Sequence, residues 1–198
     1  MLDGGFLIKK LEKTLRRFPT ADDIEQYCNE LRRRPELKDL ELMRVYFYHA
    51  KPATESITHP IDKTILNLAN SNTNVQHESL LDKLELKPDF AVRMGETVTY
   101  GWKLGQKAMK SIMTSPRPIE SRDLVPNITQ KGVDLRIGLD IARLSLREMV
   151  RVIVVVTGDS DFIPAFKFAR REGLRIYLDT MGHGVRRDLK AHSDLVFS

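Results

Sequence analysis

Residues 152–162 read Val-Ile-Val-Val-Val-Thr-Gly-Asp-Ser-Asp-Phe, a continuous apolar run that ends in a Gly-Asp turn. A run of this kind is typical of a strand buried on both faces, as in a parallel sheet. The downstream pattern predicts a helix over 162–172, a strand over 174–178, a short helix over 185–192 and a last strand over 195–197. Strands and helices that alternate at this spacing predict a parallel α/β sheet.

The upstream pattern is less regular. A helix is predicted over 132–149, a strand over 40–50 and an amphipathic helix over 5–18, directly after Leu2-Asp3. Two β-prone runs around Gly95-Glu96 predict a hairpin over 90–103. The stretch 104–130, with three prolines, is expected to be a loop or lid. The hairpin and this loop, which is rich in basic residues, form an insertion at about 88–130. The whole chain is expected to be a single domain over 1–198. Only two residues precede Asp3, so either the first strand is short or the protein begins upstream.

The composition excludes several classes of protein. The 198 residues are 41% hydrophobic and 30% charged, which suits a packed domain rather than a disordered chain. No apolar run approaches the length of a membrane helix, and the start does not resemble a signal peptide. One cysteine excludes an internal disulfide framework, so we expect a cytoplasmic protein without a membrane partner. The net charge of +5 is compatible with a polyanionic partner.

Acidic residues follow the predicted strands where parallel α/β sheets bind ligands, beyond the carboxyl ends of the strands. Asp159 and Asp161 follow one strand, and Asp3 ends the first. The 132–149 helix runs antiparallel to the next strand, so Asp134 in its first turn lies at the same edge. Asp140 lies about 9 Å lower and about 240° around the helix, and we expect it to be solvated or locally paired.

Carboxylates that converge without cationic partners favour a hard divalent cation such as Mg²⁺ or Mn²⁺, which prefers oxygen ligands. Such an ion lowers the pKa of a bound water and stabilises charge on a phosphoryl group. The alternative is that Asp159 and Asp161 only cap the following helix.

Five segments of the chain carry a family resemblance. They are Lys131-Gly-Val-Asp134, Leu139-Asp-Ile-Ala142, Val154-Val-Val-Thr-Gly-Asp-Ser-Asp-Phe162, Glu172-Gly-Leu-Arg-Ile176 and Leu189-Lys-Ala-His-Ser-Asp-Leu-Val-Phe197. They resemble the NYN domain of the PIN-like nuclease superfamily, most closely its bacterial LabA-like branch. The opening Leu2-Asp-Gly-Gly5 is similar to the family's first motif. Many relatives have Gly or Asn before the apolar residue of this motif. This chain has Gly5 before Phe6, so it lacks the side-chain amide that Asn would supply.

The resemblance implies a three-layer α/β/α fold and a metal-dependent ribonuclease that acts on RNA. By position, Asp3, Asp134, Asp159 and Asp161 are the implied metal-binding and catalytic acids. Thr157 and Ser160 are the implied supporting polar residues. A catalytically silent module of the same fold that binds RNA or a protein is the alternative. A haloacid dehalogenase-type phosphatase is a third possibility, although Asp3-Gly-Gly5 lacks the second acid of that motif.

Basic residues near the predicted acidic edge could contact RNA phosphates. We predict this role for Lys131, Arg186 and Arg187, and also for His183 in a loop after a strand, where the alternative is a plain turn. Trp102 and Tyr100 could stack on a base. The alternative for Trp102 is packing inward on the core. The five histidines show no metal-ligand spacing, although His49, at a strand end, could approach the site.

Overall fold

The strands form one central sheet and a small separate one. A computed structural model describes residues 1–197. The central sheet has seven strands in the order β6-β5-β2-β1-β7-β8-β9, and β3 pairs with β4 in the other. The strands are β1 (Leu2–Asp3), β2 (Val45–Ala50), β3 (Ser56–Thr58), β4 (Ile65–Asn67), β5 (Phe90–Leu104), β6 (Leu124–Lys131), β7 (Val152–Val156), β8 (Arg175–Asp179) and β9 (Leu195–Phe197).

Helices cover both faces of the central sheet. They are α1 (Gly4–Leu15), α2 (Ala21–Arg32), α3 (Asn72–Glu85), α4 (Gln106–Thr114), α5 (Val133–Leu146), α6 (Ile163–Arg171) and α7 (Arg187–Ala191). Apolar residues of α1, α2 and α3 pack on one face of the sheet. Those of α5, α6 and α7 pack on the other face. The three-layer α/β/α fold predicted from the sequence is therefore confirmed.

The six strands β5, β2, β1, β7, β8 and β9 run parallel to one another. The edge strand β6 is antiparallel to β5. Although β1 has two residues, it lies at the centre. Leu2 pairs with Phe47 of β2 and with Val156 of β7. The carboxyl ends of β1 and β7 consequently meet at one edge, which we call the carboxyl edge. Among residues 1–197, no helix has the length and hydropathy needed to cross a bilayer.

The hairpin predicted over 90–103 is wrong, because β5 is one strand of 15 residues. Its first half, to Gly95, pairs with β2, and its second half, from Glu96, pairs with β6. Gly95 is needed for close packing rather than for a turn. A Cβ at this position would lie 2.6 Å from the Lys131 carbonyl oxygen and 2.7 Å from Val133 Cγ2.

The loop predicted over 104–130 is also wrong. This stretch holds α4, a short 3₁₀ helix at Ser121–Asp123 and β6. The three prolines of this stretch favoured a loop, and α4 lies on the surface with none of its residues buried. Pro126 fits within β6 because β6 is an edge strand of the sheet. The second half of β5 and β6 thus form a two-stranded ribbon that continues past the end of β2 at the carboxyl edge.

The ribbon rests on the small β3–β4 sheet. The Trp102 indole N–H donates to the Thr58 carbonyl oxygen at 3.0 Å. The His59 ring packs edge-on against Trp102, with ring centroids 4.4 Å apart. Trp102 is half-buried in this contact, whereas Tyr100 is 53% exposed. Trp102 therefore supports the ribbon rather than packing in the main core.

Candidate active site

The carboxyl edge of the sheet carries all four aspartates of the predicted site. Asp3 ends β1, and Asp134 lies in the first turn of α5. Asp159 and Asp161 follow β7, at the start of a 3₁₀ helix over Ser160–Phe162. Asp134 and Asp161 are exposed, whereas Asp3 and Asp159 are half-buried. The strand order brings the four acids together, since β1 and β7 are direct neighbours.

A chain of hydrogen bonds orients the two half-buried acids. The Asp3 carboxylate accepts from the Phe6 backbone N–H at 3.1 Å and from the Thr157 hydroxyl at 3.0 Å. The Thr157 hydroxyl in turn accepts from the Asp159 N–H at 3.1 Å, and the Asp159 carboxylate accepts from the Asp161 N–H at 2.9 Å. Asp159 therefore does cap the short helix after β7, as the alternative interpretation proposed. The cap uses one carboxylate oxygen of Asp159.

The charges of these acids influence one another. Burial, more than any other cause, raises the pKa of Asp3, and the nearby Asp159 raises it further. Burial also raises the pKa of Asp134, together with the charges of Asp3, Asp159 and Asp161. Within residues 1–197, none of the four forms an ion pair with a lysine, arginine or histidine. The four carboxylates are therefore like charges at one edge, and no ion pair within the described residues neutralises them.

The donor set suits a hard divalent cation, because it consists of carboxylate oxygens that lack cationic partners. The side chains are not yet gathered around one point, however. Across residues 1–197, no three His, Cys, Asp or Glu side chains are arranged as the ligands of one ion. Asp134 and Asp161 are exposed and can change rotamer, whereas the hydrogen bonds of Asp3 and Asp159 hold them in place.

Asp140 is locally paired and not part of the site, as the sequence predicted. It accepts a hydrogen bond from the Tyr48 hydroxyl at 2.9 Å, and Arg93 Nε lies 3.4 Å from the same oxygen. Tyr48 is buried on the α5 side of the sheet. Its pKa is raised by burial, and further by the charge of Asp140, so it remains a hydrogen-bond donor.

His183 lies beside the turn that carries Asp159. Its ring centroid is 5.9 Å from that of Phe6 in α1. A Cβ on Gly158 would lie 2.7 Å from the Phe6 ring and 3.0 Å from His183 Cδ2. Gly158 thus lets the β7 turn, α1 and the loop after β8 meet closely. His183 is exposed, so its ring is accessible to a ligand at the edge.

The predicted phosphate contacts are also exposed near this edge. Lys131 ends β6, three residues before Asp134, and its Nζ lies 5.2 Å from the centre of the Tyr100 ring. Arg186 and Arg187 begin α7 after the loop that follows β8. Ser160 is half-buried in the 3₁₀ helix.

One residue near the edge was not foreseen from the sequence, and the possibility left open for His49 is not met. Gln130 of β6 places its Oε1 3.9 Å from the point that a Cβ on Gly5 would occupy, and Asp3 Oδ1 is 3.6 Å from that point. No local pattern could indicate this contact, which depends on how β6 returns to the sheet. His49 does not approach the acids, because its Nε2 lies 2.8 Å from His77 Nδ1 of α3 on the other face of the sheet.

Together, the three-layer α/β/α fold and the acidic carboxyl edge of its sheet define a PIN-like α/β domain. The NYN domain model matches residues 55–197, and the chain therefore belongs to the NYN domain family, whose members are nuclease-like. Asp134, Asp159 and Asp161 lie within the matched residues, whereas Asp3 precedes them. No curated protein and no solved structure matches the chain. The phosphatase alternative has no support from these comparisons.

Proposed function

We propose that this protein is a divalent-metal-dependent ribonuclease that hydrolyses RNA phosphodiester bonds. The observation that carries the proposal is the set of four carboxylates at the carboxyl edge, none of which forms an ion pair with a cationic side chain among residues 1–197. Asp3, Asp134, Asp159 and Asp161 would hold Mg²⁺ or Mn²⁺, with Thr157 and Ser160 in support. When bound, such an ion lowers the pKa of a water molecule and stabilises charge on the phosphoryl group.

The residues of the chain have distinct parts in this proposal. Thr157 holds Asp3 and the Asp159 backbone in a fixed relation through its hydroxyl. Asp134 is exposed and has a raised pKa, so it is suited to accept a proton from the attacking water. Lys131, His183, Arg186 and Arg187 are exposed around the edge, where they would contact the RNA backbone.

The second candidate function is a non-catalytic module that binds RNA or a protein at the same edge. It is favoured by the lack of any three ligand side chains already gathered for one ion among residues 1–197. We also propose that the chain belongs to the LabA-like branch, forms a single domain over 1–198 and acts in the cytoplasm. The motifs at Lys131–Asp134 and Gly158–Phe162 and the single cysteine support these proposals.

The test is cleavage of labelled single-stranded RNA with Mn²⁺ by wild type, by Asp159→Asn and by Asp39→Asn. Asp39 is an exposed aspartate before β2, at the opposite edge, so its variant controls for the loss of one negative charge. We expect Asp159→Asn to lose cleavage, because an amide is a neutral and weaker ligand, and Asp39→Asn to retain it.

RNA binding separates the two candidate functions. Asp159→Asn should bind RNA as well as wild type or more tightly, because a negative charge near the polyanion is removed. The logarithm of the affinity should fall with the logarithm of the salt concentration by about 0.7 per phosphate neutralised. Equal residual cleavage by wild type and Asp159→Asn would refute the nuclease proposal and favour the binding module.

A further inference from the structure

Helix α5 carries a second apolar surface besides the one that packs on the sheet. Leu135, Leu139 and Leu146 are 67%, 60% and 64% exposed, and Ala142 between them is half-buried. At about 100° per residue, these four positions fall within an arc of about 60°. They extend for about 16 Å along the helix. The buried face of α5, with Ile137 and Ile141 fully buried, points elsewhere.

A row of arginines lies beside this stripe. Arg136, Arg143 and Arg147 each follow a stripe residue directly in the sequence, and all three are exposed. They fall within an arc of about 40°. Within residues 1–197, none of them forms an ion pair. We call the four stripe residues and these three arginines the α5 surface.

The α5 surface is not explained by the fold or by the acidic edge. Single exposed leucines are normal, but three in helical register beside an unpaired cationic row form a continuous patch. The other side of the stripe is closed by α6, since Gly138 of α5 faces Ala165 of α6. Only Asp134, in the first turn of α5, belongs to the proposed active site. The remaining length of the helix is free for another contact.

We propose that the α5 surface is the docking site for an amphipathic helix of a partner protein, with an apolar face and an acidic flank. A helix suits a straight stripe about three turns long, because its own i, i+4, i+7 residues pack against such a ridge. Carboxylates on one flank of that helix would face Arg136, Arg143 and Arg147. The charge of the surface thus defines the partner's chemistry.

A second copy of this chain that packs antiparallel through the same surface does not fit it as well. In an antiparallel two-fold pair, each flank of α5 meets the same flank of its mate. The two arginine rows would then face each other, and like charges in contact are unfavourable. Binding of RNA to the arginines would leave the leucines without a partner.

The probe is a pair of labelled synthetic helical peptides of about 18 residues. Both carry leucines at positions i, i+4, i+7 and i+11, with glutamates on one flank in the first peptide and lysines in the second. We expect wild type to bind the glutamate peptide at least about tenfold more tightly by fluorescence anisotropy. The protein variant with Arg136→Glu, Arg143→Glu and Arg147→Glu should prefer the lysine peptide instead.

The leucines are tested with Leu135→Ser and Leu139→Ser, which should each weaken binding of the glutamate peptide about tenfold. Leu86→Ser is the matched control, since Leu86 is 86% exposed and lies after α3, and it should bind as wild type does. Circular dichroism checks that each variant is folded. Cleavage of RNA is not used as a readout, so the result is independent of the proposed nuclease function.

Several outcomes would overturn the proposal. One is equal binding of both peptides, or no binding up to about 200 µM. Another is a dimer in light scattering that Leu139→Ser dissociates, which would make a second copy the occupant. A third is cosedimentation of wild type, but not of Leu139→Ser, with phosphatidylserine vesicles, which would assign the surface to a membrane.

Discussion

The Thr157 hydroxyl joins Asp3 and Asp159, which are far apart in sequence. It donates to Asp3 Oδ2 at 3.0 Å and accepts from the Asp159 backbone N–H at 3.1 Å. Thr157 is fully buried at the end of the central part of the sheet. One hydroxyl therefore sets the relative position of two of the four acids in the proposed site.

Replacing this hydroxyl should affect both stability and cleavage. In Thr157→Val the shape is kept, but the Asp159 N–H and an Asp3 oxygen lose their partner. We expect the free energy of unfolding to fall by about 1–3 kcal/mol in urea titrations. Mn²⁺-dependent cleavage should fall at least about tenfold, with Thr157→Ser close to wild type. A Val variant as active as wild type would show that this contact does not position the acids.

Asp3→Asn should separate stability from activity. Burial and Asp159 raise the pKa of Asp3, so its ionised form is disfavoured in the folded protein. The stability that Asp3 contributes is present below its unfolded pKa and decreases as the pH rises through its folded pKa. An asparagine can still cap α1. Without metal at pH 7, the melting temperature of Asp3→Asn should therefore equal or exceed that of wild type.

Addition of Mn²⁺ provides the second half of this test. Mn²⁺ should raise the melting temperature of wild type, since binding to the folded state stabilises it. It should raise that of Asp3→Asn much less, and cleavage by this variant should be lost. A variant clearly less stable than wild type without metal would contradict the proposed cost of the Asp3 charge.

The His49–His77 pair should make the protein sensitive to acid. Burial, with a contribution from His77, lowers the pKa of His49 to about 4 from its ordinary value of 6.5. Burial also lowers the pKa of His77. As the pH falls, these histidines therefore bind protons in the unfolded chain before they do so in the folded protein. The stability that depends on the neutral pair is fully present above pH 6.5 and decreases as the pH falls towards 4. For His49 alone the loss is roughly 3 kcal/mol.

Urea titrations at several pH values measure this loss. Wild type should lose stability between pH 7 and pH 4.5 more steeply than His49→Gln, which cannot titrate at this position. His183→Gln is the matched control, because His183 is exposed, and its pH dependence should follow wild type. Parallel curves for wild type and His49→Gln would refute the role of this buried pair.

Replacing Gly95 and Gly138 by alanine should change the free energy of unfolding in opposite directions. Gly95→Ala would place a Cβ 2.6 Å from the Lys131 carbonyl oxygen, so the β6–α5 junction must shift. We expect a loss of about 1–3 kcal/mol of unfolding free energy. Among the described residues, a Cβ on Gly138 in α5 would meet only Ala165 Cβ, at 4.0 Å, so Gly138→Ala should gain about 0.5–1 kcal/mol of unfolding free energy. A stable Gly95→Ala variant would show that the β5–β6 ribbon does not depend on this close approach.

The elements that were predicted well have strong local patterns. The run Val152–Val156, the helix after it and the strand Arg175–Asp179 were all found near their predicted bounds. Thr20 and Asp23 form the capping box that begins α2, and this signal is local to the sequence. Asp140 is paired locally, as expected. In these segments apolar periodicity and capping residues agree with the tertiary environment, so the sequence is sufficient.

The ribbon was predicted poorly because its structure depends on distant residues. Gly95-Glu96 has the composition of a turn, yet Gly95 continues a strand because Lys131 and Val133 pack over it. The helix α4 buries none of its residues, so no core contact accompanies the helical spacing of its apolar residues, and the prolines of this stretch favoured a loop instead. The position of the Gln130 side chain close to Gly5 follows only from the return of β6 to the sheet.

By itself, the sequence determined the parallel sheet, its helical layers and the edge at which the acids lie. Strand periodicity and the rule that parallel strands end at one edge are sufficient for that. Only the tertiary structure decided that the Thr157 hydroxyl donates a hydrogen bond to Asp3 and that Asp140 accepts one from Tyr48. It also decided that three leucines of α5 are exposed. These features depend on which strands are neighbours and which helix faces are covered, and such contacts join residues that no local pattern relates.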